Sequence, residues 1–215
     1  MSIEVVRAEA LGDRGRRAAA ALLARGFVED FAAITSDRDR LAAAFEPIIL
    51  PEHVYLALRD GQPAGIATLT GADQEVFAPR WALLRRRLGV LRGTVLHVVV
   101  RIWFMGGDPD SVPGQAEIGS VATDPEHRGH GVATALIRHL VEDSAHRVYV
   151  LRDIKDTNEA ALSVYRRLGF VEYTRRKARF SRRAGFSAYV SMRRVGAGSS
   201  QTEAAAGPDR GAHEG

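Results

Sequence analysis

The run Glu117-Ile118-Gly119-Ser120-Val121-Ala122-Thr123-Asp124-Pro125-Glu126-His127-Arg128-Gly129-His130-Gly131-Val132-Ala133 carries the most legible chemistry in this chain. A strand stops at Asp124-Pro125 and a helix begins near Gly131. Between them stand two glycines and a small residue in the spacing Arg128-x-x-Gly131-x-Ala133. The first turn of a helix leaves backbone N–H groups without partners and carries a partial positive charge. Glycine lets the chain turn sharply and clears side chains from the path of a diphosphate, so the site suits a pyrophosphate held by main-chain amides. It is not a P-loop, because the Gly-Lys-Ser/Thr ending is missing, and the three-glycine spacing of a dinucleotide fingerprint is absent. On the glycines alone, a plain strand-to-helix turn remains an equal reading.

A second constellation is Asn158-Glu159-Ala160-Ala161-Leu162-Ser163-Val164-Tyr165-Arg166-Arg167-Leu168-Gly169-Phe170. It opens on cap-type residues, Asp156-Thr157-Asn158, places Ala161, Val164, Tyr165 and Leu168 on one stripe, and stops at a glycine. Asn158 and Tyr165 are seven residues apart, about two turns, so both project from one side of the helix. His127 and His130 stand three apart beside Glu126, but in a turn without a fixed helical face or a distant second ligand set, and no metal site is expected there. The chain has no cysteine, which excludes disulfides, thiolate metal sites and a cysteine nucleophile together.

Taken together, the two segments resemble the GNAT superfamily of acyl-CoA-dependent N-acyltransferases. The match is to its R/Q-x-x-G-x-G/A turn, here Arg128–Ala133, and to its Asn…Tyr-x-x-x-Gly-Phe helix, here Asn158–Phe170. The resemblance covers roughly residues 116–170. It implies an α/β fold with a mixed, mostly antiparallel central sheet flanked by helices. It implies acetyl-CoA as co-substrate and direct transfer of an acetyl group to a primary amine of a small molecule or a peptide or protein, without a covalent enzyme intermediate. Main-chain groups of Val121, Ala122 and Thr123 would pair with the pantetheine arm like an added strand. Amides from Arg128 through Gly129, His130, Gly131, Val132, Ala133 and Thr134 would bind the pyrophosphate, and Asn158 would hydrogen-bond the cofactor. Tyr165 would protonate the leaving thiolate as general acid. A strand N–H near Val121 would stabilise the oxyanion. Glu117 is the candidate base, directly or through water; an exposed strand-end carboxylate is an equal reading of it, and a core aromatic is the bland reading of Tyr165.

The elements that must hold these residues follow from pattern. Ile3–Arg7 alternates apolar and polar residues and reads as a strand. Asp13–Arg25 reads as a helix ending at Gly26, and Asp37–Phe45 as a second, with Ser36 as N-cap. His53–Arg59 and Ala64–Thr70 form a hairpin about Asp60-Gly61. Residues 71–115 are an extra segment between the third and fourth strands, longer than a hairpin connection and suited to a lid, a dimer contact or a substrate wall. Within it Pro79–Leu91 reads as a helix, Val95–Phe104 as strand or helix, and Gly106–Pro109 as a loop. Glu117–Thr123, Val148–Leu151, Phe170–Tyr173 and Phe186–Met192 are the later strands, with helices over Gly131–Asp143 and Asn158–Leu168. In the first of these helices Val132, Leu136 and Leu140, with Ala133, Ile137 and Val141, make one apolar face.

At 215 residues, 46% of them hydrophobic, the chain affords one substantial core. A single domain over 1–194 is expected, followed by a Gly/Ala/Ser/Glu-rich tail over 195–215 that reads as disordered. Leu88–Met105 is interrupted by Arg92, His97 and Arg101 and falls short of the ~20 apolar residues that spanning needs, and the N-terminus shows no signal-peptide pattern. The expected location is therefore the cytoplasm, with no membrane partner. The net charge of +4 is clustered at Arg175, Arg176, Lys177, Arg179, Arg182 and Arg183, which reads as a solvated hairpin; a nucleic-acid partner is not expected. Glu29, Asp30, Asp73 and Glu75 are candidate charges beside an acceptor cleft, or solvated loop charges, and Trp81, Trp103 and Phe104 are assigned to core, interface or ligand alike. A homodimer is left open. The rival functional reading is a non-catalytic acyl-CoA-binding regulatory module.

Overall fold

The structure is a computed structural model that describes residues 2–103, 112–178 and 185–196. Seven strands form one sheet: β1 (Ile3–Arg7), β2 (Val54–Arg59), β3 (Gln62–Gly71), β4 (Gln115–Thr123), β5 (Val148–Lys155), β6 (Val171–Lys177) and β7 (Ala188–Val195). Their order is β1-β2-β3-β4-β5-β7-β6. Every neighbouring pair is antiparallel except β4 and β5, which run parallel. The parallel pair needs a crossover, and the helix α5 (Val132–Glu142) supplies it.

Helices cover both faces. On one lie α1 (Gly12–Phe27), α2 (Arg38–Phe45), α3 (Trp81–Leu88) and α4 (Val90–Trp103), whose Leu23, Leu41, Leu84 and Leu96 share one core cluster with Leu56 and Ile66. On the other, α5 and α6 (Glu159–Arg167) bury Leu136, Leu140, Leu162 and Tyr165 against Ala116, Ile118 and Tyr149. The periodic face of α5 is buried at Val132, Leu136, Ile137, Leu140 and Val141, as its spacing predicts. Each leucine removed from water there contributes about 1.5–3 kcal/mol.

The structure moves several boundaries. Asp37, not Ser36, caps α2: its side chain accepts from the amides of Asp39 and Arg40. The helix expected over Pro79–Leu91 is cut by Gly89, whose φ of 81° ends α3. The ambiguous Val95–Phe104 stretch is helical through Trp103, because Gly93, Leu96 and Val100 recur on one buried face. β5, β6 and β7 run further than their apolar cores predict, to Lys155, Lys177 and Val195, since the paired backbone continues where the apolar pattern stops. The Asp60-Gly61 turn has φ of 50° and 78°, the doubly positive geometry of a tight hairpin. Phe104, the Gly106–Pro109 loop, Arg179, Arg182, Arg183 and residues 197–215 lie outside the described residues.

Candidate functional site

Around β4 the sheet comes apart. The β4–β5 ladder pairs Gln115 with Val148, Ala116 with Tyr149 and Glu117 with Val150, and no later pair forms, although β4 continues to Thr123 and β5 to Lys155. Beyond Glu117, therefore, the side of β4 turned away from β3 faces no strand. β4 also carries a bulge: Thr68 pairs with Gly119 but Ile66 with Ala122, so one residue of β4 is extra. Ser120, at φ 47°, takes up the difference. The bulge reverses the facing of side chains, so that Ala116, Ile118 and Val121 pack toward α5 while Ala122 packs toward α1.

The amide turn begins where β4 ends. Asp124 caps a short 3-10 turn, accepting from the amide of Glu126, and its other oxygen accepts from the Arg25 guanidinium at the end of α1. Gly129 (φ 77°) and Gly131 (φ 80°) are both left-handed, and a Cβ on either would meet nothing within 4 Å. Gly131 is the N-cap of α5 and offers no capping side chain. Among the described residues, none of the amides from Gly129 through Thr134 donates a hydrogen bond to the protein. Such a row of unpaired donors at the positive end of a helix, with open space over both glycines, fits a diphosphate. The two histidines go to separate partners: His130 Nδ1 donates to the Arg128 carbonyl at 2.9 Å, and His127 Nδ1 lies 3.4 Å from Arg59 Nη1.

On the α1 face of the sheet, a cleft of about 730 Å³ opens against the same stretch of β4. Glu117, Gly119 and Ser120 form its floor; Phe27, Asp30 and Phe31 stand at the end of α1, Glu75 after β3, and Val99 and Ile102 on α4. Asp30 and Glu75 border this cleft, whereas Glu29 and Asp73 are not among its lining residues. Glu117 Oε2 is 3.3 Å from Arg152 Nε, and Asp30 Oδ1 is 2.6 Å from Lys155 Nζ. Arg152 and Lys155 were invisible to motif reading, since both lie beyond the strand that the apolar pattern predicts over Val148–Leu151. Arg25 gave no sequence signal at all.

Tyr165 lies across the sheet from this cleft. It is 5% exposed, in the cluster that holds Ala116 and Ile118, with its ring centroid 6.2 Å from that of Phe170. Burial raises its phenol above the ordinary tyrosine value, which keeps the proton on the oxygen. Asn158 caps α6 with its carboxamide oxygen, which accepts from the Ala161 amide at 3.3 Å, so its Nδ2 is the group left for a ligand. Asn158 is exposed and Tyr165 buried, at the two ends of α6.

Residues 21–170 match the family model described as the acetyltransferase (GNAT) family. The chain belongs to that family. This GNAT protein is an acetyltransferase that passes an acetyl group from acetyl-CoA to an amine. It is 33% identical over 157 residues to the N-alpha-acetyltransferase RimI of Mycobacterium tuberculosis, covering 64% of this chain and 96% of that protein. Its fold is shared with histone acetyltransferase HPA2 and related acetyltransferase from Corynebacterium glutamicum (TM-score 0.60, 19% identity, 92% of this chain and 98% of that one). The fold is also that of yncA from Salmonella typhimurium, determined with its cofactor acetyl-CoA (TM-score 0.53, 18% identity, 91% and 94%).

Proposed function

We propose that the acceptor of this acetyltransferase is the α-amine of a polypeptide N-terminus. The observation that carries the reading is the parting of β4 from β5 beyond Glu117, which brings the amide turn, the unpaired strand edge and the cleft to one stretch of β4. The cleft is roomy enough for several residues of an extended peptide, and Asp30, Glu75 and Glu117 border it with carboxylates that an incoming ammonium group would share with Arg152 and Lys155. Its similarity to an N-alpha-acetyltransferase supports the same acceptor class.

In this reading the amides of Gly129–Thr134, with Arg128, hold the pyrophosphate of acetyl-CoA, the free edge of Val121–Thr123 receives its pantetheine arm, and Asn158 donates to it through Nδ2. Acetyl-CoA supplies the acetyl group as a thioester. Glu117, directly or through a water, accepts the proton that the ammonium must lose before it can attack. A β4 amide near Val121 stabilises the oxyanion; as the C–S bond breaks, Tyr165, held protonated by burial, donates to the departing sulfur, and the second proton that the nitrogen sheds returns to the phenolate. Residues 1–194 serve as one catalytic domain, with the segment 71–115 as a wall of the acceptor cleft through Val99 and Ile102.

The test is CoA release with three matched substrates: a short peptide with a free N-terminus, the same peptide N-blocked but containing lysine, and a small aliphatic diamine. Turnover with the first and not the second supports the reading. Equal or better turnover with the lysine peptide or the diamine overturns it.

A further inference from the structure

Helix α4 is apolar on two opposed faces. Gly93, Leu96 and Val100 form the face turned into the protein, so close to α3 that a Cβ on Gly93 would come within 2.7 Å of the Arg85 backbone. The other face carries Leu91, Val95, Val98 and Ile102, a spacing of four, three and four that makes one stripe of a helix. All four are bare, at 78%, 41%, 45% and 70% exposure. Trp81 on α3 stands beside the stripe: its indole N–H donates to Thr94 Oγ1 at 2.9 Å, and the Arg85 guanidinium covers its ring at 4.6 Å from the centroid. Single exposed apolar residues are ordinary on a protein surface, but a contiguous stripe marks an interaction site.

The surrounding charge indicates the partner. No acidic residue occurs between Glu75 and Asp108, an interval that holds Arg80, Arg85, Arg86, Arg87, Arg92 and Arg101. At 3.6 residues per turn, Arg92 falls roughly a quarter-turn to one side of the stripe and Arg101 roughly a quarter-turn to the other. Cations flanking an apolar stripe, with an indole alongside, suit a helix lying in the interfacial plane of a bilayer: the apolar side chains reach the acyl boundary while the guanidinium groups stay among the phosphates. A second copy of the chain fits less well, since α3 and α4 carry arginines and no acidic residue, so pairing the two helices with their copies would bring like charges together.

We propose that the α3–α4 face docks this enzyme on an anionic phospholipid surface. Docking is distinct from spanning: α4 has 14 residues against the ~20 a crossing needs, and among the described residues no helix is long and apolar enough to cross a membrane. The sequence alone leads to no membrane partner, and this proposal departs from it for docking and not for spanning. Because Ile102 belongs both to the stripe and to the cleft wall, docking sets the acceptor cleft beside the lipid.

Flotation of the full chain with phosphatidylglycerol-containing vesicles, against pure phosphatidylcholine vesicles, tests this directly. The chain is expected to float with the anionic vesicles and to be released by salt, and Arg92→Glu or Arg101→Glu to weaken binding about fivefold or more each. The double change Leu91→Asp and Val95→Asp is expected to abolish flotation while CoA release from a water-soluble amine continues, since neither residue lines the cleft. Absence from both vesicle types overturns the proposal, as does equal binding to both. A wild-type dimer that the Leu91→Asp and Val95→Asp change converts to monomer overturns it in favour of a second copy, and retention on RNA without flotation overturns it in favour of nucleic acid.

Discussion

The Arg25 guanidinium is hydrogen-bonded to the Asp124 carboxylate across 99 positions of sequence, fastening the end of α1 to the start of the amide turn. Asp124 is 5% exposed. Burial alone would raise its pKa, but the Arg25 hydrogen bond, the Glu126 amide and the nearby charges of Arg25 and His127 outweigh it and hold the carboxyl below its ordinary value. A depressed folded pKa stabilises the fold above the unfolded value, near 4, and that stabilisation is lost as pH falls through the folded value. Asp124→Asn is therefore expected to cost about 1–2 kcal/mol at neutral pH, a modest figure because Arg25 is half exposed. Urea titrations should show the gap between the two proteins closing as the wild-type carboxylate protonates. A cost that is unchanged at ~pH 2 would show that the charge is irrelevant.

Gly26 tests how closely α1 must approach β4. A Cβ there would lie 2.5 Å from the Cβ of Ala122, inside any tolerable contact. Alanine is the better helix former by about 1 kcal/mol, so a harmless site would be stabilised by Gly26→Ala. The expected result is the opposite: a net loss of about 1–2 kcal/mol in thermal or urea unfolding. Ala122→Gly in the same chain should recover most of it, because the two changes act on one contact.

Gly131 isolates the backbone of the turn from its surroundings. Its φ of 80° costs an L-residue about 1–2 kcal/mol, yet a Cβ there meets nothing. Gly131→Ala is thus expected to leave the core intact and to act on the direction of the α5 amides. KM for acetyl-CoA should rise about tenfold with a smaller change in kcat, the pattern of lost uniform binding. An unaltered KM would detach this turn from the diphosphate.

The parts of the fold that could be read from sequence were those whose determinants are local. The α5 face is written in Val132, Leu136 and Leu140, and the amide turn in Arg128, Gly129 and Gly131. What escaped were properties of pairs far apart in the chain. Arg25 meets Asp124, Arg152 meets Glu117 and Lys155 meets Asp30 only once the sheet has formed. The Ser120 bulge was hidden too, since serine carries no signature of a positive φ. The α3–α4 pair was half legible: its apolar density was plain, but a helix with both a buried and a bare apolar face shows no clean period, which left Val95–Phe104 open between strand and helix.

Glu117 lines the cleft and Tyr165 is buried on the opposite face of the sheet, so their removal should separate kinetically. Tyr165→Phe deletes one oxygen from a buried ring and is expected to leave the melting temperature within a few degrees while lowering kcat about 10²-fold, with KM for acetyl-CoA little changed. Because burial keeps the phenol protonated well above neutrality, Tyr165 adds no descending limb to the pH profile below pH ~10. The rate with a peptide acceptor should rise with pH as the α-amine, whose ordinary pKa is near 8, loses its proton, and then level off. Glu117→Gln should lower the rate most on the acid side of that rise, where the amine most needs a proton acceptor, and least on the plateau. A profile lowered evenly at every pH would remove Glu117 from proton transfer and leave it as the partner that positions Arg152. A Tyr165→Phe enzyme with full kcat would return that residue to the core.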